Sequence, residues 1–215
     1  MDTPSSLAAQ LYLLSYDSRK ERVVTRMVFP YLLRAAALTD LLLSGRIADD
    51  KGKVRVVTQD RLADPVLDGL LRQIAESRPR SWQHWISRDH HATARAVRDE
   101  LETERWIRVE LNRPFLIFSR SFVRVRDTRV VKRLAAQVAF ALTGPLSRVS
   151  ERDAALVALA AAGEVRTVLP RAKRREYKQR ITQLTERGGP TSPALRKVIR
   201  QLHVASVAAS SGAGG

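Results

Sequence analysis

Apolar and polar positions divide the chain into a dense N-terminal helical block, a short alternating stretch, and a second helical block. Ser5 and Ser6 can cap a short helix through about Leu14, and the polar stretch Tyr16 to Glu21 reads as a turn. Pro30 suits a first helical turn, and Tyr31 to Ser44 (YLLRAAALTDLLLS) is so rich in Leu and Ala, with Gly45 as its stop, that it predicts a buried helix. Ile47 to Thr58 places Val54, Val56 and Val57 beyond Asp50-Lys51-Gly52, which predicts a small hairpin. Asp64 and Pro65 open a helix with Val66, Leu67, Leu70, Leu71 and Ile74 on one face, ended by Pro79. Ser81 caps a short helix bearing Trp82 and Trp85, and a longer one follows from about His91 to Arg105.

The period then changes. Trp106 to Glu110 and Phe115 to Val125 flank Asn112-Arg113-Pro114, the pattern of a second β-hairpin. Further helices are expected over Asp127 to Leu142, Ser150 to Gly163, Arg171 to Glu186 and Thr191 to about Val207. The expected fold is mainly α: a single globular domain over 1–204 with a central helical bundle, surrounding amphipathic helices and one or two small β-hairpins, followed by a flexible tail over 205–215.

Charge changes this picture more than composition does. Lys and Arg number 38 against 22 Asp and Glu, a net +16. Residues 120–133 hold a net +5 and residues 166–200 a net +9. A surface of that sign attracts polyanions, either nucleic acid or the anionic face of a bilayer, and a plain solvated basic surface accounts for it equally. The chain has no cysteine, so disulfides and thiolate chemistry play no part and a reducing cytoplasm is the expected setting. The apolar run Ala154 to Gly163 is about ten residues, whereas a membrane span takes about 20, and Asp2 sits where a signal peptide carries basic charge.

Catalytic chemistry finds little support. His84, His90, His91 and His203 show no metal-ligand spacing, no glycine-rich phosphate loop or GxSxG is present, and Glu100, Glu102 and Glu104 lie in a charged helix. The expectation is a binding protein without catalytic residues, metal or cofactor. Two features stand out. The second hairpin carries a continuous apolar run, Phe115-Leu116-Ile117-Phe118, between Arg113 and Arg120, where a half-buried strand would alternate. It suits insertion into a bilayer interface, a contact between copies of the chain, or a strand covered on both faces. The other is Arg34, set among leucines and alanines, where a buried guanidinium requires an anion: an internal carboxylate or a phosphate from outside. Arg95 and Arg98, at i and i+3, form a fork suited to the same ligand, or pair with Asp99 and Glu102 on the surface.

The runs LTDLLLSGRI (Leu38 to Ile47) and ADPVLDGLLRQIAESRPRSWQHWI (Ala63 to Ile86) resemble the Golgi phosphoprotein 3 family, and the order of elements agrees from about Leu7 to about Leu202. The resemblance implies a mostly helical domain that, in the Golgi members, binds phosphatidylinositol 4-phosphate and recruits membrane enzymes as cargo, without catalysis. The family's headgroup pocket uses one tryptophan and three arginines. Aligned without gaps on Gly45-Arg46-Ile47, the first arginine falls on Arg34 and the tryptophan on Thr25, which removes an aromatic wall. The other two resemble Arg95 and Arg98 once a gap of about one helical turn is admitted, and without it fall on His91 and Ala94.

The resulting expectation is a cytoplasmic protein held peripherally at the cytoplasmic face of a membrane, with Arg34, Arg95 and Arg98 gripping an anionic headgroup and Phe115 to Phe118 inserting. Membrane-protein cargo and self-association through the hairpin are the other expected partners. Nucleic acid bound by the basic helices from Arg171 to Arg200 is the alternative reading, and the less favoured one.

Overall fold

The computed structural model describes the backbone of residues 3–24, 26–112 and 120–211, and the side chains of these apart from 111–112, 120–122 and 202–211. Its helices arrange by how their apolar residues are distributed. Where apolar side chains surround the axis, the helix lies inside; where they form one stripe, it lies outside.

Three helices are of the first kind. α1 (Leu7–Leu14) is buried along its whole length, with Ser6 as its N-cap accepting the Ala9 amide at 3.2 Å. α2 (Phe29–Leu43) is the hub of the bundle and touches most of the other helices. It ends where Gly45 takes φ +69°, a left-handed conformation that lets the Arg46 amide reach the Leu41 carbonyl at 2.9 Å. After α2 come the strands β3 (Ile47–Asp50) and β4 (Lys53–Val56), the expected hairpin, paired antiparallel from Ile47↔Val56 to Asp50↔Lys53. α3 (Pro65–Ala75) is capped by Asp64, whose Oδ1 accepts the Val66 and Leu67 amides at 2.9 Å. Before α2, the stretch read as a turn pairs at its ends: β1 (Tyr16–Asp17) lies antiparallel to β2 (Arg22–Val23).

The strand β5 (Arg80–Ser81) adds to β4 as a third strand, then α4 (Trp82–Ser87) and α5 (His90–Thr103) follow. β6 (Ile107–Asn112) and β7 (Arg120–Val125) form the second hairpin, but its register differs from expectation. Asn112 is paired with Arg120 rather than sitting in a turn, so the first strand runs past Glu110 to Asn112. The ladder follows the alternation in Ile107/Val109 and Val123/Val125, where one face meets the core. Phe115 to Phe118 lie outside the described residues.

α6 (Thr128–Thr143) leads to α7 (Glu151–Ala162), the third helix buried nearly all round. The expected helix over 171–186 is two, α8 (Arg171–Glu176) and α9 (Lys178–Arg187), broken at Tyr177. α10 (Thr191–Ser211) runs beyond Val207, where the sequence pattern ended it. The fold is therefore the predicted mainly α domain, with α1, α2 and α7 as its centre and small antiparallel strand pairs at its edge.

Buried polar contacts tie this centre together. Asp40 of α2 accepts the Leu7 amide at 2.7 Å and stands 2.7 Å from Arg152 Nη1 of α7, so one carboxylate joins all three central helices. Desolvation pushes its pKa up to about 6 against the opposing pull of Arg152.

Candidate functional site

α5 carries two different faces. Thr93, Val97 and Leu101 recur at i, i+4 and i+8 and are buried against the bundle. The neighbouring face carries His91, Ala94, Arg95 and Arg98, and all four line one open cavity of about 660 Å³. The two ways of placing the family's second and third arginines thus fall on one wall, a single helical turn apart, and Arg95 and Arg98 are its cations.

The opposite side of the cavity comes from residues the sequence reading did not single out. Arg22 of β2 and Arg26 and Met27 of the segment before α2 line it, together with Tyr12 of α1, Phe29 and Tyr31 of α2, and Val123 of β7. Four arginines therefore surround one opening. Arg98 donates to Asp99 Oδ1 from Nε at 2.9 Å and Nη2 at 2.6 Å, and Arg26 reaches Glu164 at 2.5 Å. Arg22 and Arg95 are exposed and have neither an ion pair nor a side-chain hydrogen bond among the described residues. The expected surface pairing of Arg95 with Asp99 is absent: Asp99 takes its neighbour Arg98, and Glu102 accepts the Val109 amide at 3.0 Å instead.

The floor is aromatic. Tyr12 and Phe29 meet edge to face with centroids 5.4 Å apart, and Tyr31 stacks on His90 at 3.8 Å. Burial pushes the Tyr12 hydroxyl up to about 12, with Arg98 pulling the other way, so at neutral pH it is a proton donor. Thr25, the position of the family tryptophan, lies outside the described residues. Aromatic side chains from elsewhere, Tyr12, Phe29 and Tyr31, line the cavity. At its mouth Met27 is 60% exposed, an unusual setting for a large apolar side chain beside two arginines.

Arg34 is placed differently from expectation. It is 2% exposed and does not line the cavity, though Tyr31, one turn before it, does. Its guanidinium donates from Nε to the Trp85 carbonyl at 3.1 Å, from Nη1 to Thr93 Oγ1 at 2.9 Å and from Nη2 to Gln73 Oε1 at 2.8 Å. These acceptors are neutral. Each belongs to a different helix, α4, α5 and α3, so Arg34 clamps α2 to all three. Burial lowers its pKa to about 10, with Asp89 pulling upward, and it remains charged at neutral pH. A buried guanidinium in this fold needs no anion because three oriented oxygens solvate it.

The missed cations left a signal. Arg19 to Arg26 (RKERVVTR) is itself a basic run, and Arg22 and Arg26 lie just beyond the polar Tyr16 to Glu21 stretch that reads as a turn. Among the described residues, no group of acidic or histidine side chains could hold a metal ion, and no helix is long and apolar enough to cross a membrane. A family model described as Golgi phosphoprotein 3 matches residues 7–202. No curated protein matches the chain.

Proposed function

The chain belongs to the Golgi phosphoprotein 3 family, and from that premise we propose that it is a peripheral membrane protein whose cavity between α2, α5 and β2 holds the phosphorylated headgroup of an anionic phospholipid. The observation that carries this reading is the pair Arg22 and Arg95: two exposed guanidiniums, without an acidic partner among the described residues, that line one opening from β2 and α5. A phosphate entering there gains both, and it competes with Asp99 for Arg98 and with Glu164 for Arg26. Those two ion pairs are partly exposed and hold their arginines weakly, so the exchange costs little. Bidentate guanidinium contacts suit a phosphate's oxygens, and the protonated Tyr12 hydroxyl adds a neutral donor.

The same mouth suits a bilayer. Each basic residue near an anionic surface contributes about 1 kcal/mol, and Met27 at the rim, with Phe115 and Phe118 between Asn112 and Arg120 in the sequence, offers apolar side chains for the interfacial zone. In this reading Arg34 is a structural clamp that holds α2 to α3, α4 and α5 and takes no part in gripping the headgroup. The protein binds rather than catalyses, works at the cytoplasmic face of a membrane, and presents membrane-protein cargo as other adaptors of its family do. A phosphoinositide such as phosphatidylinositol 4-phosphate is the proposed headgroup.

Sedimentation with vesicles tests this. Phosphatidylcholine vesicles carrying phosphatidylinositol 4-phosphate should retain the protein more strongly than vesicles of equal charge carrying phosphatidylglycerol. Arg95→Ala with Arg98→Ala should erase that preference. Equal retention on both compositions by the unaltered protein removes the headgroup cavity and leaves only diffuse attraction.

A further inference from the structure

A second open cavity, of about 650 Å³, lies between the end of α7, α9 and α10, on the other side of Glu164 from the first. Its apolar base is Ala161, Ala162, Ile181 and Ile199, and its charged lining is Glu164, Arg174, Lys178, Arg196 and Arg200. Arg174 is held 3.5 Å from Glu164. Lys178, Arg196 and Arg200 are exposed and carry no ion pair or side-chain hydrogen bond among the described residues. Their placement follows from the helix period: Arg196 and Arg200 are i and i+4 on α10, beside the buried stripe Leu195, Val198 and Ile199, and Lys178 faces them from the first turn of α9.

Two other arginines of this basic segment are fastened to the protein. Arg180 donates to the Ala141 carbonyl at 2.9 Å and the Gly144 carbonyl at 2.7 Å, which caps the end of α6, and Arg187 donates to the Leu146 carbonyl at 2.8 Å. Like-charged side chains left around one concavity repel one another unless an anion joins them.

We propose that Lys178, Arg196 and Arg200 form a second anion site that takes the phosphate of another phospholipid headgroup in the same bilayer. That the two sites share a bilayer rests on the reading above; the anion site itself rests on its own lining. Glu164 fixes their proximity. It bonds Arg26 of the first cavity at 2.5 Å and Arg174 of the second at 3.5 Å, from a backbone held at φ +54° just past the α7 terminus. Two headgroups held side by side turn the second binding event into an intramolecular one, which raises avidity without enlarging either site.

The test uses the full chain and four proteins: unaltered; Lys178→Ala/Arg196→Ala/Arg200→Ala; Arg22→Ala/Arg95→Ala; and Arg171→Ala/Lys173→Ala/Arg175→Ala, which removes the same charge from exposed α8 positions outside the second cavity. Each is titrated with phosphatidylcholine vesicles with and without phosphatidic acid, with inorganic phosphate, and with duplex DNA, and circular dichroism checks helicity. With about a fivefold loss per near-surface cation, the first triple variant should lose about 100-fold on phosphatidic acid vesicles, and more than the α8 variant does. Inorganic phosphate that binds the unaltered protein and loses affinity in that triple variant shows the phosphate chemistry, and the vesicle arm then shows whether the bilayer supplies it. Equal losses in the two triple variants, or none in either, overturn the site. Loss on DNA with vesicle binding intact overturns the lipid assignment in favour of nucleic acid. If Arg22→Ala/Arg95→Ala binds normally while the cavity variant does not, the second site stands and the first-cavity reading fails.

Discussion

Arg34 and Arg95 lie on facing helices about one turn from the same wall, yet they are solvated in opposite ways. Arg34 is enclosed and satisfied by the oxygens of Trp85, Thr93 and Gln73. Arg95 is exposed with no acidic partner among the described residues, although Asp99 is one turn away. An arginine amid apolar letters therefore marks a structural clamp here, and an arginine in a charged helix lines the open cavity. Burial alone does not indicate a ligand site, since a buried guanidinium can be satisfied by internal oxygens.

The comparison breaks first at Arg34. Arg34→Ala takes the donor from the buried Trp85 carbonyl, from Thr93 Oγ1 and from the half-buried Gln73 Oε1, and unties α2 from three helices, at about 1 to 3 kcal/mol for each buried group left without a donor. Chemical denaturation should show a loss of about 3 kcal/mol or more, while the folded fraction keeps its vesicle affinity to within a few fold. Full stability with vesicle binding abolished would reverse the assignment.

A second interior charge sharpens the contrast through pH. Desolvation raises the Asp40 pKa from the ordinary 3.8 to about 6, so between those values the folded state binds more protons than the unfolded one. This contribution to stability is present below about pH 4 and is lost as pH rises through 6, on the order of 3 kcal/mol. Glu100, pushed up to about 7 by burial with Asp64 and Glu104 adding to it, gives a slope of the same sign. Asp40→Asn keeps an acceptor for the Leu7 amide and leaves Glu100 in place, so the difference between the two stability–pH curves isolates Asp40. Parallel curves would show that its carboxyl does not titrate in this range.

The smallest effect belongs to the hairpin. Phe115→Asp with Phe118→Asp should weaken vesicle sedimentation while leaving far-UV helicity unchanged, and unchanged sedimentation would confine membrane contact to the cavity rim and Met27.

Much of the fold was legible because its cues are local. Ser6, Asp64, Ser81 and Ser150 cap the helices they precede, and Gly45 ends the hub helix. The break at Tyr177 and the third strand at Arg80 to Ser81 were not, since each depends on what packs alongside rather than on its own residues. The site was half legible for the same reason. Arg95 and Arg98 share a face by helical spacing, whereas Arg22, Arg26 and Tyr12 reach the cavity only through tertiary folding. Arg34 was misread because its acceptors come from 39 to 59 residues away, a distance no periodic pattern reports.

The claim on which this account depends is that the guanidiniums around the α5 cavity coordinate a phosphate. Calorimetric titration of the purified chain with soluble inositol 4-phosphate, beside Arg22→Ala/Arg95→Ala, tests it without a bilayer. Saturable heat is expected from the unaltered protein and about a 100-fold weaker response from the variant, on about 1.5 kcal/mol for each charged hydrogen-bond donor removed. Identical isotherms for the two proteins would contradict it.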